Sequence, residues 1–410
     1  EMPYFRKLIL RCMTIPLVMM IMFGSAGQAG GQEGIEVENP GVAVAFGREI
    51  TFSARLITPF PIRQASLLFR GVNEQTTRVE SLEVAADGSV RFTYDVSQNI
   101  FPPFSWVVFW FQATLENGSI ATSAPIQFQY KDDRFPWRQI SRENITVNWH
   151  AGDDAFGAAA LDAATAGLRG MSDFIPVASN EPIQIYIYSN TSDLRDTLLT
   201  GSASWVGGHA HPELGVVLVA ILPGASQFVE METAIPHELA HVMLYRALGD
   251  QYEKQPAWLV EGIASMVELY PNPEYARALE LAGANNSLIP MRDLCASFPL
   301  DSGSAFLAYA QSQSFVTYIR NSFGTSGLAR LTGAYGEGFD CELGATQALG
   351  IPLSQLDLRW RETALGQNVT GVAFRNLLPF LLLLMVVLVV PLWGAIDMLR
   401  QRRKRDNQSQ

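Results

Sequence analysis

Hydrophobic and polar residues alternate in short runs through residues 34–131, which is the pattern of β-strands with one buried face. The pairs Asp87-Gly88 and Asn117-Gly118 are typical of hairpin turns between such strands. We therefore predict an all-β, immunoglobulin-like sandwich over residues 34–131. The predicted strands are Ala43–Phe46, Ile50–Leu56, Ala65–Phe69, Val90–Tyr94, Ser105–Thr114 and Ile126–Tyr130.

A polar segment from Lys131 to Arg134, followed by Pro136, marks a boundary after which the pattern changes. Apolar runs first predict strands at Ile145–Trp149, Ile183–Tyr188 and Gly215–Leu222. Helical periods then predict Asp154–Met171, Asp193–Leu199, Pro236–Leu248, Pro256–Tyr270, Pro273–Ala282, Gly303–Phe323, Gly327–Tyr335 and Leu353–Leu365. Since most strands precede most helices, we predict an α+β domain over residues 140–366.

Both ends of the chain carry the pattern of membrane signals. Residues 1–29 place basic residues before the apolar run Cys12–Phe23 and small residues after it, which predicts a cleaved signal peptide. Leu377–Ile396 contains no charged residue over a length that spans a bilayer as a helix. Five basic residues follow it, so we expect a cytoplasmic tail at residues 397–410 and an outward-facing chain before the span.

The composition of the 410-residue chain narrows the class of protein. With 48% hydrophobic and 17% charged residues, the chain is not a disordered one. The formal net charge is −11, and since both ends carry a net positive charge, the body between them is more acidic still. We therefore expect no nucleic-acid partner.

Cys295 and Cys341 are the two cysteines left after removal of the signal peptide. An even pair outside the membrane predicts a disulfide, and two separate buried thiols are the alternative. The loop that it closes spans about 46 residues, for which the chain-entropy model gives roughly 4 kcal/mol of stabilisation.

The predicted helix Pro236–Leu248 contains His237-Glu238-Leu239-Ala240-His241, an H-E-x-x-H motif. Residues four apart share one face of a helix, so both imidazoles can reach one metal ion. Glu238 projects beside that ion, where a carboxylate can take a proton from water. The alternative is a helix whose histidines only pack.

Glu261 follows His241 after nineteen residues, on the apolar helix predicted from Pro256. Burial of an unpaired carboxylate is unfavourable, so a metal ligand is the economical interpretation of this residue. An exposed glutamate is the alternative. The H-E-x-x-H motif and the run Trp258–Ala264 resemble the gluzincin metallopeptidases, the clan of thermolysin and the aminopeptidase-N-like enzymes, and indicate a peptidase-MA-like domain.

This resemblance implies one Zn²⁺ held by His237, His241 and Glu261, with Glu238 as general base. The Gly-x-Met-Glu-Asn signature of the aminopeptidase branch is absent from the chain, which favours an endopeptidase over an aminopeptidase. In this clan, the region before Gly215–Leu222 forms the edge strand on which substrate lies.

Four further residues are weaker candidates. Gluzincins often supply an oxyanion donor from the helical half, and Tyr309 is our candidate, with a core tyrosine as the alternative. Ser265, four residues after Glu261, is a candidate partner for a metal ligand. His209 and His211 either contact substrate or are polar residues of a glycine-rich hairpin.

We predict a membrane-anchored, outward-facing zinc peptidase that acts on a peptide or protein substrate. We expect the β-domain to serve as a spacer or to bind a protein partner. The alternative is a surface adhesion or sensing protein with a structural zinc site. Such a site is usually closed by four protein ligands, whereas this sequence offers three.

Overall fold

A computed structural model describes residues 33–97, 101–172, 180–198, 207–367 and 369–406. The predicted signal peptide, residues 1–29, lies outside the described residues. Two sheets and a set of helices account for the described chain up to residue 367, and a long apolar helix follows.

The N-terminal part is β-rich, as predicted. The long first strand pairs with two partners: residues 33–35 lie parallel to β7, and the strand from Glu36 onward lies antiparallel to β2, with a register shift between Glu38 and Gly41. The strand order is β4-β3-β6-β7-β1-β2-β5, with β8 against β6. These strands are β1 (Glu33–Ala45), β2 (Glu49–Ile57), β3 (Ile62–Gly71), β4 (Arg78–Leu82), β5 (Ser89–Asp95), β6 (Trp106–Leu115), β7 (Ile120–Ser123) and β8 (Ile126–Gln129).

An aromatic core holds this β-rich domain together. The Phe52 ring of β2 lies 5.2 Å from the rings of Phe69 on β3 and Phe109 on β6. Neither β3 nor β6 is a hydrogen-bonded neighbour of β2, so two parts of the sheet face each other across the core. An immunoglobulin-like arrangement of the strands stays a prediction. The short strands β4 and β7 were not predicted, because neither has a clear run of alternating apolar residues.

The second sheet has the order β12-β13-β11-β10-β9. Its three central strands run parallel, and an antiparallel strand closes each edge. Ile145, Val147 and Ile185 point from one face into the core that the helices cover. The strands are β9 (Arg138–Arg142), β10 (Ile145–Trp149), β11 (Ile183–Tyr188), β12 (Gly208–His211) and β13 (Val216–Ala220).

Helices make up most of the chain after this sheet. They are α1 (Asp154–Met171), α2 (Thr191–Leu198), α3 (Gln227–Leu248), α4 (Ala257–Met266), α5 (Glu274–Ala284), α6 (Ser302–Gly336), α7 (Cys341–Leu349) and α8 (Leu353–Thr363). The break predicted after Phe323 is present as non-helical backbone at Gly324, with φ 72°, inside α6. The short helix α7 was not predicted.

A disulfide joins Cys295 to Cys341, with Cα atoms 6.3 Å apart. It ties the segment before α6 to the start of α7. The last helix, α9 (Val369–Asp406), contains the predicted span Leu377–Ile396. The mean hydropathy of this span is 2.6, and none of it is buried against the rest of the described chain. By length and composition, this helix can cross a membrane.

Candidate metal centre

Helix α3 begins at Gln227, so Pro236 lies in its interior and not in its first turn, where the sequence placed it. Proline has no N–H, and the carbonyl of Glu232 therefore loses its helical donor. The backbone N–H groups of Leu269 and Tyr270 donate to that carbonyl instead, at 2.9 and 3.4 Å. Because of the proline, the segment after α4 can hydrogen-bond to the backbone of α3. The proline directly precedes His237.

Three donor atoms converge beside this contact. His237 and His241 lie one turn apart on α3, and Glu261 lies on α4. Glu261 Oε2 is 3.3 Å from His237 Nε2 and 3.7 Å from His241 Nε2. Among the described residues, these three form a group whose donor atoms all lie within 4.8 Å of one another.

The Nδ1 atom of each imidazole has its own partner. Glu268 Oε1 lies 3.0 Å from His237 Nδ1, and the Tyr252 hydroxyl lies 3.0 Å from His241 Nδ1. These contacts fix both rings with Nε2 directed toward Glu261. Neither Glu268 nor Tyr252 was predicted from the sequence. Glu268 lies two residues beyond the end of α4 at Met266, so the predicted helix Pro256–Tyr270 was too long, and helical spacing from Glu261 does not account for its position.

Burial and crowding shift the pKa values of these groups. Burial raises the pKa of Glu238 to about 7 and lowers the pKa of His241 to about 4. Burial also opposes a charged His237, but its contacts with Glu261 and Glu268 outweigh that effect and raise its pKa well above the ordinary value. Three carboxylates therefore share one buried pocket with two imidazoles.

A zinc ion fits this donor set. Two ligands of a tetrahedral zinc are about 3.3 Å apart at the usual Zn–N and Zn–O lengths, close to both distances from Glu261. Histidine nitrogen and carboxylate oxygen are ordinary zinc ligands. The carboxylate-rich surroundings also favour a cation. His237, His241 and Glu261 could therefore hold the metal, with a fourth position open.

Glu238 lies against the edge strand β12. It is 8% exposed and has no hydrogen-bond partner among the described residues. A Cβ atom at Gly208 would lie within van der Waals overlap of Glu238 Oε1, so the absence of a side chain on β12 makes room for this carboxylate. The edge strand therefore passes directly beside Glu238.

The weaker candidates surround the same site. The Tyr309 ring lies 5.9 Å from the His237 ring, and burial raises the pKa of its hydroxyl. The His209 and His211 rings are 4.8 Å apart on β12, and His209 is near enough to His241 to lower the pKa of His241. Ser265 is fully buried but makes no hydrogen bond to either metal-facing histidine or to Glu261 in the described chain.

Comparison with known proteins agrees with this geometry. Residues 163–366 match the sequence profile of the Peptidase MA superfamily. These residues form a gluzincin-like peptidase domain. The segment contains all three members of the donor group, together with Glu238 and Tyr309.

Solved structures give weaker likenesses. An M1 zinc metallopeptidase from Deinococcus radiodurans is 15% identical, with a TM-score of 0.38, over 81% of this chain and 95% of that chain. A structure described as a myokine is 12% identical, with a TM-score of 0.20, over 24% of this chain and 99% of that one. At these scores, neither likeness carries an argument. No curated protein matches the chain.

Proposed function

We propose that the chain is a zinc-dependent peptidase that hydrolyses peptide bonds, with His237, His241 and Glu261 as metal ligands. The convergence of these three donors beside an unpaired Glu238 carries the proposal. A structural zinc site would need a fourth protein ligand and would have no use for Glu238. Zinc bound there would polarise the scissile carbonyl and make water nucleophilic near neutral pH.

Glu238 is the proposed general base. Its carboxylate accepts the proton of the attacking water at Oε1 or Oε2 and passes it to the leaving amine. A carboxylate without a hydrogen-bond partner among the described residues keeps its lone pairs available for this transfer. The Tyr309 hydroxyl is the proposed donor to the oxygen that becomes negative as the carbonyl is attacked.

Substrate is proposed to lie along β12. This strand pairs only with β13 among the described strands, so its outer edge can accept an extended peptide through main-chain hydrogen bonds. Gly208 would set the peptide beside Glu238, and His209 and His211 would contact its side chains. We propose an endopeptidase, because the chain lacks the aminopeptidase motif that holds a free amino terminus.

Helix α9 is the proposed membrane anchor. Its apolar residues are exposed between Leu377 and Ile396, and basic residues follow from Arg400. This charge bias favours a cytoplasmic C-terminus, with the peptidase domain on the outer side.

A cleavage assay on the detergent-solubilised full chain tests this function. The substrates are mixed peptides with free or acetylated amino termini, and mass spectrometry identifies the new ends. We expect internal cleavage of both kinds of peptide, loss of cleavage with a chelator, and recovery with zinc. Cleavage of free amino termini alone would indicate an aminopeptidase, and an inert zinc-loaded protein would contradict the proposed enzyme.

A further inference from the structure

A cavity of about 660 Å³ lies between the β-rich domain and the second sheet, away from the metal centre. One face of the sheet packs against the helices, so the alternate residues of the same strands lie on the face that borders this cavity. The start of β6 and the end of β8 form the opposite wall. Both domains therefore contribute to one concave surface.

The sheet side of the cavity combines uncharged hydrogen-bonding groups with the apolar surface of Tyr186 and Val216. The Ser141 and Thr146 hydroxyls lie 2.9 Å apart, and Asn148 Nδ2 donates to Gln184 Oε1 at 3.2 Å. Within the described chain, Gln184 Nε2 and Asn148 Oδ1 make no hydrogen bond. Amide and hydroxyl groups at neighbouring strand positions thus leave both donors and acceptors for a ligand.

The charges at the cavity cancel. Arg246 pairs with Glu181, with Nε and Oε2 3.4 Å apart. The remaining charged residues of the lining, Lys131 and Glu213, have opposite signs. In a chain with a formal net charge of −11, a lining without net charge selects neither a cationic nor an anionic ligand.

Trp106 supplies an aromatic surface at the same cavity. It is the first residue of β6 and is 51% exposed. A flat indole beside a row of amides and hydroxyls can pack against the C–H face of a sugar ring while the sugar hydroxyls bond to the sheet. We propose that this cavity binds a neutral oligosaccharide.

The proposal is tested on the full chain in detergent by calorimetric titration. The probes are four neutral hexasaccharides: cellohexaose, maltohexaose, mannohexaose and N-acetylchitohexaose. We expect saturable binding of at least one, weakened by at least about tenfold in Trp106→Ala. Ser141→Trp should abolish it by filling the cavity. Phe60→Ala, which removes another exposed aromatic ring of the β-rich domain, should leave binding unchanged.

Peptide cleavage should stay at the wild-type level in all three variants, so failure of this proposal is distinguishable from failure of the proposed peptidase. Thermal unfolding of each variant confirms that it is folded. Lack of saturable binding by all four sugars overturns the proposal. Binding that both Trp106→Ala and Ser141→Trp leave unchanged overturns the cavity as its site, and binding of an extended peptide in place of sugars overturns the ligand class.

Discussion

Two of the places where the described chain buries carboxylates differ in how the charge is compensated. Asp132, at the boundary between the domains, is fully buried and accepts hydrogen bonds from Arg134 Nε at 2.8 Å and Nη2 at 2.7 Å. The hydroxyls of Tyr188 and Thr197 also donate to it, at 3.1 and 3.2 Å. With the Arg134 backbone N–H at 3.1 Å, five donors surround this carboxylate and leave no place for a ligand.

The metal centre has the opposite arrangement. Glu238 has no hydrogen-bond partner in the described chain, and Glu268 Oε2 is buried without one. Unpaired buried charge is unfavourable, so its presence in a folded domain indicates that something else compensates it. The comparison teaches that a fully paired buried carboxylate stabilises the fold, whereas an incompletely paired group indicates a functional site.

The largest expected effect is on metal content. His237→Ala, His241→Ala and Glu261→Ala should each lose zinc, with a loss of affinity beyond the 10–100-fold that changes in a ligand's supporting partner produce. Zinc per chain is measured after dialysis at defined free zinc. His150→Ala, at a histidine that stacks on Phe135 outside the site, should retain it. Full zinc in Glu261→Ala would remove Glu261 from the ligand set.

Asp132→Ala tests the other half of the comparison. It leaves Arg134 and two hydroxyls without their acceptor, so the free energy of unfolding should fall by about 3 kcal/mol. Zinc content should not change. Chemical denaturation measures the loss, with Asp133→Ala, the exposed neighbour, as control. Asp133 itself accepts one hydrogen bond, from the Phe46 N–H at 3.1 Å, so equal stability of the two variants would mean that the Asp132 network contributes no more than this single contact.

Glu268→Ala should weaken zinc binding by about 10–100-fold, because His237 would lose the partner of Nδ1. Competition with a chelator of known affinity measures the change. Ser265→Ala, near the end of α4, is the control, and it should retain wild-type affinity. A larger loss of zinc affinity in Ser265→Ala than in Glu268→Ala would support Ser265 as the partner of a metal ligand.

Pro236→Ala should have the smallest effect, a few-fold loss of zinc affinity. Alanine supplies an N–H that competes with Leu269 for the Glu232 carbonyl, and this loosens the segment that holds Glu268. Faster hydrogen exchange of the Leu269 amide should accompany the loss. Unchanged exchange would show that the proline does not hold the two segments together.

The sequence predicted the features that depend on local spacing. The histidines one turn apart and Glu261 on the next apolar helix were predicted together, because both signals lie within single helices. The disulfide between Cys295 and Cys341 followed from the pairing of two cysteines outside the membrane, and the structure confirms it.

Features that depend on contacts between segments were missed. The predicted start of α3, at Pro236, was wrong. The donors that replace the missing N–H of this proline come from residues 269 and 270, more than thirty positions away. Tyr252 could not be paired with His241 for the same reason, since it follows α3 in a short 3₁₀ helix, Gly249–Lys254, whose direction depends on packing. Sequence spacing describes one helix well and the junction of two helices poorly.

Glu238→Gln tests the central claim most directly. Glutamine keeps the size of the side chain but cannot accept the proton of the attacking water. Peptide cleavage should therefore fall by at least about 100-fold. Zinc per chain and the unfolding temperature, measured on the same preparation, should match the wild type, because no proposed ligand or hydrogen bond is lost. Cleavage comparable to the wild type, or loss of zinc, would contradict the role of Glu238 as an unpaired general base beside the metal.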